Sequence, residues 1–273
     1  IAALTATQIA AMSTASLSAM TSTQLQALTS TQVRALTADQ ISSLNASDLA
    51  RFNSTQLNSL TATQMKALSA DQVSSLSTSQ ISAFSTTGLA GLSDTQIAAL
   101  TSTQLNVLNT KQITALSTTA ISSLTDTQVT GLSTTLLREL TTSQMGYLSA
   151  DQIKDLKASQ LGAMTDTQLA RLNSTQVASL TATTLNGLSA DQVGSLSTTQ
   201  LSGLTSTALA GLAGTGLSGL TATQIIALTT QQVRGLNAAS LSNLSTEQVL
   251  ALTLTQMQNL STQAVAGLSA AQL

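Results

Sequence analysis

The chain has 273 residues, of which 42% are hydrophobic but only 7% charged and 1% aromatic, with no Pro, Trp, His or Cys. That composition excludes disulfides and thiolate metal sites, and a net charge of −2 without clustered Lys and Arg leaves no electrostatic footprint for nucleic acid. No apolar run approaches the ~18 residues needed to span a bilayer, and no signal segment opens the chain at Ile1, so an exported form would take its address from elsewhere.

Two aliphatic columns organise everything that follows. One runs Leu4, Met12, Met20, Leu28, Leu36 and on to Leu268, with all 34 members Leu, Met or Phe. The other runs Ile1, Ile9, Leu17, Leu25, Val33 and on to Leu273, with 35 members, each Ile, Leu, Val or Met. Neither is broken by an insertion. Steps of five and three average 4.0 residues, which rules out one continuous helix with its apolar stripe near 3.6. A strand would have to bend between the two columns, because residues three or five apart point to opposite faces of a sheet.

Within each octad the residue types predict a short helix. Ser, Thr or Asn follows the first column at 32 of 34 positions, Lys157 and Ala213 being the exceptions, and Gln stands three residues later at 24 of 34. This is a capping box, with the hydroxyl or amide oxygen accepting a first-turn N–H and Gln reaching back to the N–H of the cap residue. In Leu68-Ser69-Ala70-Asp71-Gln72-Val73 the flanking aliphatics fall at N′ and N4, the spacing of a hydrophobic staple. Charges agree with the dipole of such helices. Along the chain Asp39, Asp48, Asp71, Asp94, Asp126, Asp151, Asp166, Asp191 and Glu247 fall at the first three helical positions, while Arg34, Arg51, Lys66, Arg138, Lys154, Arg171 and Arg234 fall in the later half.

A helix this short needs tertiary burial, and departures from Gln show how octads assemble. Gln8, Gln32, Gln56 and every further third octad to Gln272 keep Gln, whereas Ser16, Asp48, Gly88, Ala120, Leu136, Thr184, Ala208, Gly216, Ser240 and Ala264 all fall in the other two classes. The residue after the second column is also small in one class, as at Ala50, Ser74, Gly194 and Ser218. The expected fold is therefore all-α: a minimal α-solenoid with three octads, 24 residues, per coil and a triangular cross-section. The strong β tendency of Thr keeps a triangular β-solenoid as the alternative. Both columns would point inward, Phe52 and Phe84 included. About eleven coils at ~8–10 Å spacing would give a rod of about 90–110 Å. The small residues before the first column (Ala27, Ala67, Gly91, Gly187, Gly203, Gly219) are expected to let the chain turn sharply at helix ends. Arg51, Tyr147 and Arg171 share one class there, which suggests one corner more open than the other two.

No catalytic constellation is visible, because the acids are spread one per helix start rather than converging. Asp39, Asp71, Asp151 and Asp191, each in [Ser/Thr]-Ala-Asp-Gln, are weighed as calcium ligands, but the helix dipole already accounts for them and no calcium-loop pattern surrounds them. Asp151, Lys154, Asp155 and Lys157 read as ion pairing on a solvated face. The Thr-x-Thr pattern of Thr21-Ser22-Thr23, Thr101-Ser102-Thr103 and Thr125-Asp126-Thr127 would suit an ice-binding face on a flat β-solenoid, but the first Thr exchanges with Ser and Asn as a cap does. No catalytic, cofactor-binding or metal residue is assigned, and no cofactor is expected.

Strings such as "ALTATQIAAM", "ALTSTQVRAL" and "ALTADQISSL" resemble the low-complexity octad tracts of very large secreted or surface proteins of bacteria described as adhesin-like. The resemblance covers the whole chain, carries over no functional residues, and implies export and a spacer-like role. The expectation is a structural, non-enzymatic repeat protein, one continuous array over residues 1–273, forming an extended rod, stalk or filament at or outside the cell surface. An ice-binding solenoid is the alternative. The chain begins and ends on an inward column without polar caps, so the expected partners are flanking repeats of a longer array or further copies stacked end to end. Ser and Thr hydroxyls are candidate acceptors of O-linked glycans.

Overall fold

A computed structural model describes residues 1–212 and 215–273, which divide into two compact units, Ile1–Leu140 and Thr141–Leu273. The described residues form 33 helices of four to six residues, one in each octad except that of Ser269, and include no strand. The β-solenoid alternative is thereby replaced by the α-solenoid. The reason is local: at the described Ser, Thr and Asn residues that cap these helices, such as Thr29 and Thr37, the side-chain oxygen accepts the N–H of the residue three further on and starts the helix there. Extended backbone is confined to the two residues that join successive helices, as at Leu36 (φ −58°, ψ 136°) and Thr37 (φ −75°, ψ 164°).

In each unit a helix packs on the one three further along the chain. Ser30–Ala35 thus lies against Ala6–Ala10, and Thr198–Gly203 against Ser174–Ala178. Three octads therefore complete one circuit, as the departures from Gln predict. Both columns turn inward: second-column residues from Ile9 to Val249 and first-column residues from Met20 to Leu252 are buried. Phe52 and Phe84 are 2% and 3% exposed, so the larger ring is accommodated without leaving the core. Burial of two aliphatics per octad, about 1.5–3 kcal/mol each, holds helices that could not persist alone.

Two expectations about the helix ends are corrected. None of the described glycines has a left-handed φ, and helices end in ordinary αR residues such as Ala27 (φ −79°, ψ −7°) and Gly211 (φ −78°, ψ −12°). The small residues before the first column serve packing instead. A Cβ on Gly187 would lie 1.9 Å from the Ala158 carbonyl oxygen, and one on Gly91 would lie 2.4 Å from that of Ala62. Each lies on the first turn of the helix in the preceding coil. Nor is one corner open throughout, because Gly219 and Gly267 share the class of Arg51, Tyr147 and Arg171, yet a Cβ there would meet the Ala190 and Ala238 carbonyls at 2.0 and 2.1 Å. Spacing between coils varies along each ladder rather than by class.

Candidate functional site

The recurring polar feature is a clamp built on Gln. In the octad of Thr125, the hydroxyl accepts the Gln128 N–H at 3.2 Å and Gln128 Oε1 accepts the Thr125 N–H at 2.8 Å, completing the capping box. The carboxamide nitrogen has two further hydrogens. Gln128 Nε2 donates to the Ile97 and Leu100 carbonyls of the preceding coil at 2.8 and 2.6 Å. The Leu100 oxygen sits in the extended link beyond the helix and has no backbone donor there among the described residues, while the Ile97 oxygen, which already accepts the Leu100 N–H, gains a second one. One buried side chain thus starts its own helix and closes the end of another, with every polar atom satisfied.

The same geometry recurs from Gln32, which bonds the Ile1 and Leu4 carbonyls at 3.0 and 2.7 Å, to Gln272, which bonds Leu241 and Leu244 at 3.0 and 2.6 Å. Sequence reasoning found the cap half of this arrangement and missed the coil-to-coil half. The invariant class, Gln32 through Gln272, reaches the helix ends that carry the small residues Ala50, Ser74, Gly194 and Ser218, whose carbonyls accept from Gln80, Gln104, Gln224 and Gln248. The two regularities seen in the sequence therefore mark one edge of each unit.

Departures from Gln show what the clamp supplies. Thr184 keeps part of it, its hydroxyl donating to the Leu156 carbonyl at 3.4 Å. At Leu136 no side chain can accept the Ser133 N–H, and Asn106 of the preceding coil does so instead at 2.7 Å while donating to the Gly131 carbonyl at 2.7 Å. Buried Asp48 pairs with its own cap residue, accepting from Asn45 Nδ2 at 2.6 Å. Lys157 makes no side-chain cap bond, yet its helix Ala158–Gly162 forms, with Gln160 accepting the Lys157 N–H at 2.9 Å. Ala213, the other position without a capping side chain, lies outside the described residues.

The candidate ligands stay apart. Asp39, Asp71, Asp151 and Asp191 each sit in the first turn of a separate helix, and among the described residues no three acidic groups gather as a metal site would require. Asp151, Lys154, Asp155 and Lys157 are all exposed. In Thr-x-Thr the first hydroxyl is the helix cap, as at Thr21, Thr101 and Thr125, so these pairs mark helix starts and form no β face. A groove is lined by Thr63, Lys66, Gly91, Ser93 and Asp94, and its Ser93 hydroxyl is engaged by the Thr95 hydroxyl and the Gln96 N–H. No helix among the described residues is long and apolar enough to cross a membrane.

Comparison with known families gives one similarity. The ALTTAQ repeat family model matches residues 41–78, 76–110 and 225–262, less than half of the chain. Its name spells this octad in register: Ala before the first column, Leu, the capping Thr, and Gln three residues after the cap. No curated protein matches the sequence. The chain is a repeat protein of solenoid architecture.

Proposed function

We propose that this chain is a structural element, a non-enzymatic array whose coils add up to an extended spacer or stalk outside the cell. The observation that carries the proposal is the uniformity of the clamp. From Gln32 to Gln272 most octads use their one distinctive polar side chain to bind the preceding coil, so that chemistry is consumed internally. Side chains that could bind a substrate do not converge, and the outward positions are mostly Ser, Thr and Ala. Repeats of this kind make stability a sum of nearest-neighbour terms, which suits a length-setting role.

Small-angle scattering of the purified chain tests the reading: a rod profile near the 90–110 Å expected from ~8–10 Å per coil supports it, and a compact globular profile overturns it. The partner of such an array is more of itself, flanking repeats or stacked copies, since carboxamide donors and helix-end carbonyls are complementary. Concentration-dependent growth in sedimentation velocity supports stacking of copies, whereas a single species at all concentrations removes it. Fractionation of the native host tests the location, and recovery of the chain only from cytosol would contradict it.

A further inference from the structure

Five asparagines begin an Asn-x-[Ser/Thr] triplet, the acceptor pattern for asparagine-linked sugar: Asn45, Asn53, Asn173, Asn243 and Asn259. The structure separates them. Asn45 Nδ2 donates to Asp48 Oδ2 at 2.6 Å, Asn243 Nδ2 to the Ala239 carbonyl at 2.8 Å, and Asn259 Nδ2 to the Thr255 carbonyl at 2.7 Å. In Asn53 and Asn173 the side-chain bond is made by Oδ1, which accepts the N–H of Gln56 and of Gln176 at 3.0 Å each, and Nδ2 has no partner among the described residues. Both triplets, Asn53-Ser54-Thr55 and Asn173-Ser174-Thr175, are exposed at all three residues.

The two free triplets share more than accessibility. They are the only two in the chain with Thr at the third position, and the only two preceded, two residues earlier, by Arg: Arg51-Phe52-Asn53-Ser54-Thr55-Gln56 and Arg171-Leu172-Asn173-Ser174-Thr175-Gln176. They lie 120 residues apart, in the same octad class. Arg51 and Arg171 are exposed, with Arg51 donating to Ser22 Oγ of the preceding coil, and their positive charge two residues before each acceptor favours approach of a diphosphate-bearing donor.

We propose that Asn53 and Asn173 are acceptor sites for an asparagine-linked glycan, delivered by a glycosyltransferase from a sugar activated as its nucleotide diphosphate. In the transfer, Nδ2 forms a bond to the anomeric carbon as the bond from that carbon to the diphosphate oxygen breaks. The nucleotide diphosphate leaves with the bonding electrons, and one Nδ2 proton passes to a base of the transferase. The amide oxygen is untouched, so Oδ1 continues to accept the Gln56 or Gln176 N–H and the helix keeps its cap.

The test is glycopeptide mapping by tandem mass spectrometry of the chain isolated from its native host. The expected result is sugar on the peptides carrying Asn53 and Asn173, none on those carrying Asn45, Asn243 and Asn259, and loss at each site in the T55A and T175A variants, which leave the capping asparagine in place. Unmodified Asn53 and Asn173, or equal occupancy at Asn45, Asn243 and Asn259, would overturn the assignment. In vitro, the folded chain incubated with UDP-glucose and a soluble asparagine glycosyltransferase should gain hexose only at these two sites, and all five should react after unfolding in urea. Failure at Asn53 and Asn173 in the folded chain alone would likewise overturn it.

Discussion

Replacing Gln128 by glutamate changes one group, the carboxamide nitrogen, and leaves size and shape nearly constant. The introduced carboxylate can still accept the Thr125 N–H, so the capping box survives. The Leu100 carbonyl loses its donor and the Ile97 carbonyl one of its two, and both face a carboxylate oxygen at the position where Nε2 now stands 2.6 and 2.8 Å away. The Leu100 carbonyl, left without a donor, costs about 1–3 kcal/mol, the Ile97 carbonyl keeps the Leu100 N–H at 3.1 Å, and the buried charge adds to the cost until it takes up a proton. We expect Q128E to destabilise unit Ile1–Leu140 by about 2–5 kcal/mol at pH 7. Gln8 supplies the control: its Oε1 accepts the Thr5 N–H at 2.8 Å, but it is exposed and its Nε2 binds no other coil among the described residues. Q8E should therefore be neutral or stabilising by about 0.3–1 kcal/mol through the helix dipole. Since the surroundings raise the pKa of the carboxyl introduced by Q128E above its unfolded value near 4.3, the folded state binds more protons than the unfolded one above that pH. The deficit of Q128E should then grow as pH rises and shrink as pH falls toward about 4.3. Urea unfolding followed by circular dichroism, with amide exchange over residues 97–100 and 125–129, reads both variants. Equal stability of Q128E and the parent at pH 7 would refute the coil-to-coil role of Gln.

Three further outcomes follow from the packing. G187A should destabilise by about 1–3 kcal/mol through overpacking, because its Cβ would sit 1.9 Å from the Ala158 oxygen, whereas G146A, whose nearest neighbour is 3.9 Å away, should gain about 0.5–1 kcal/mol of helix propensity; thermal melts of the two variants check the contrast. K157S supplies the cap that Lys157 lacks and should raise stability by about 0.5–2 kcal/mol in urea unfolding. F52A empties a site that is 2% exposed and should cost about 3–5 kcal/mol by the same measurement.

Most of the fold was legible because the two columns and the cap residues report local physics. Leu68, Ser69, Gln72 and Val73 carry in six residues the staple, the cap and the helix start, and the burial of Val73 follows from its spacing alone. The three-octad circuit was legible for a less direct reason: Gln on one edge is never replaced. What Gln128 binds was not legible, since its partners are backbone carbonyls 28 and 31 residues earlier and a carbonyl leaves no mark in a sequence. The small residues before the first column were misread for a related reason. Glycine at a helix end commonly signals a left-handed turn, but the clash that Gly187 avoids comes from Ala158 in another coil. The substitute contact of Asn106 at Ser133 was equally hidden, because only the circuit brings them together. Asn53 and Asn45 both begin an acceptor triplet, and it took the geometry to show that Asp48 engages the Nδ2 of Asn45 while the side-chain bond of Asn53 is made by Oδ1.

The central claim is that each Gln carboxamide joins successive three-helix coils. Its most direct measurement is the nuclear Overhauser pattern of the Gln128 Nε2 protons in selectively labelled protein. The account predicts cross-peaks to Ile97 and to Leu100 or Thr101, one coil back and around the corner. Cross-peaks to residues only eight or sixteen earlier, such as Ala120 or Gln112, without those to Ile97 and Leu100 would contradict it.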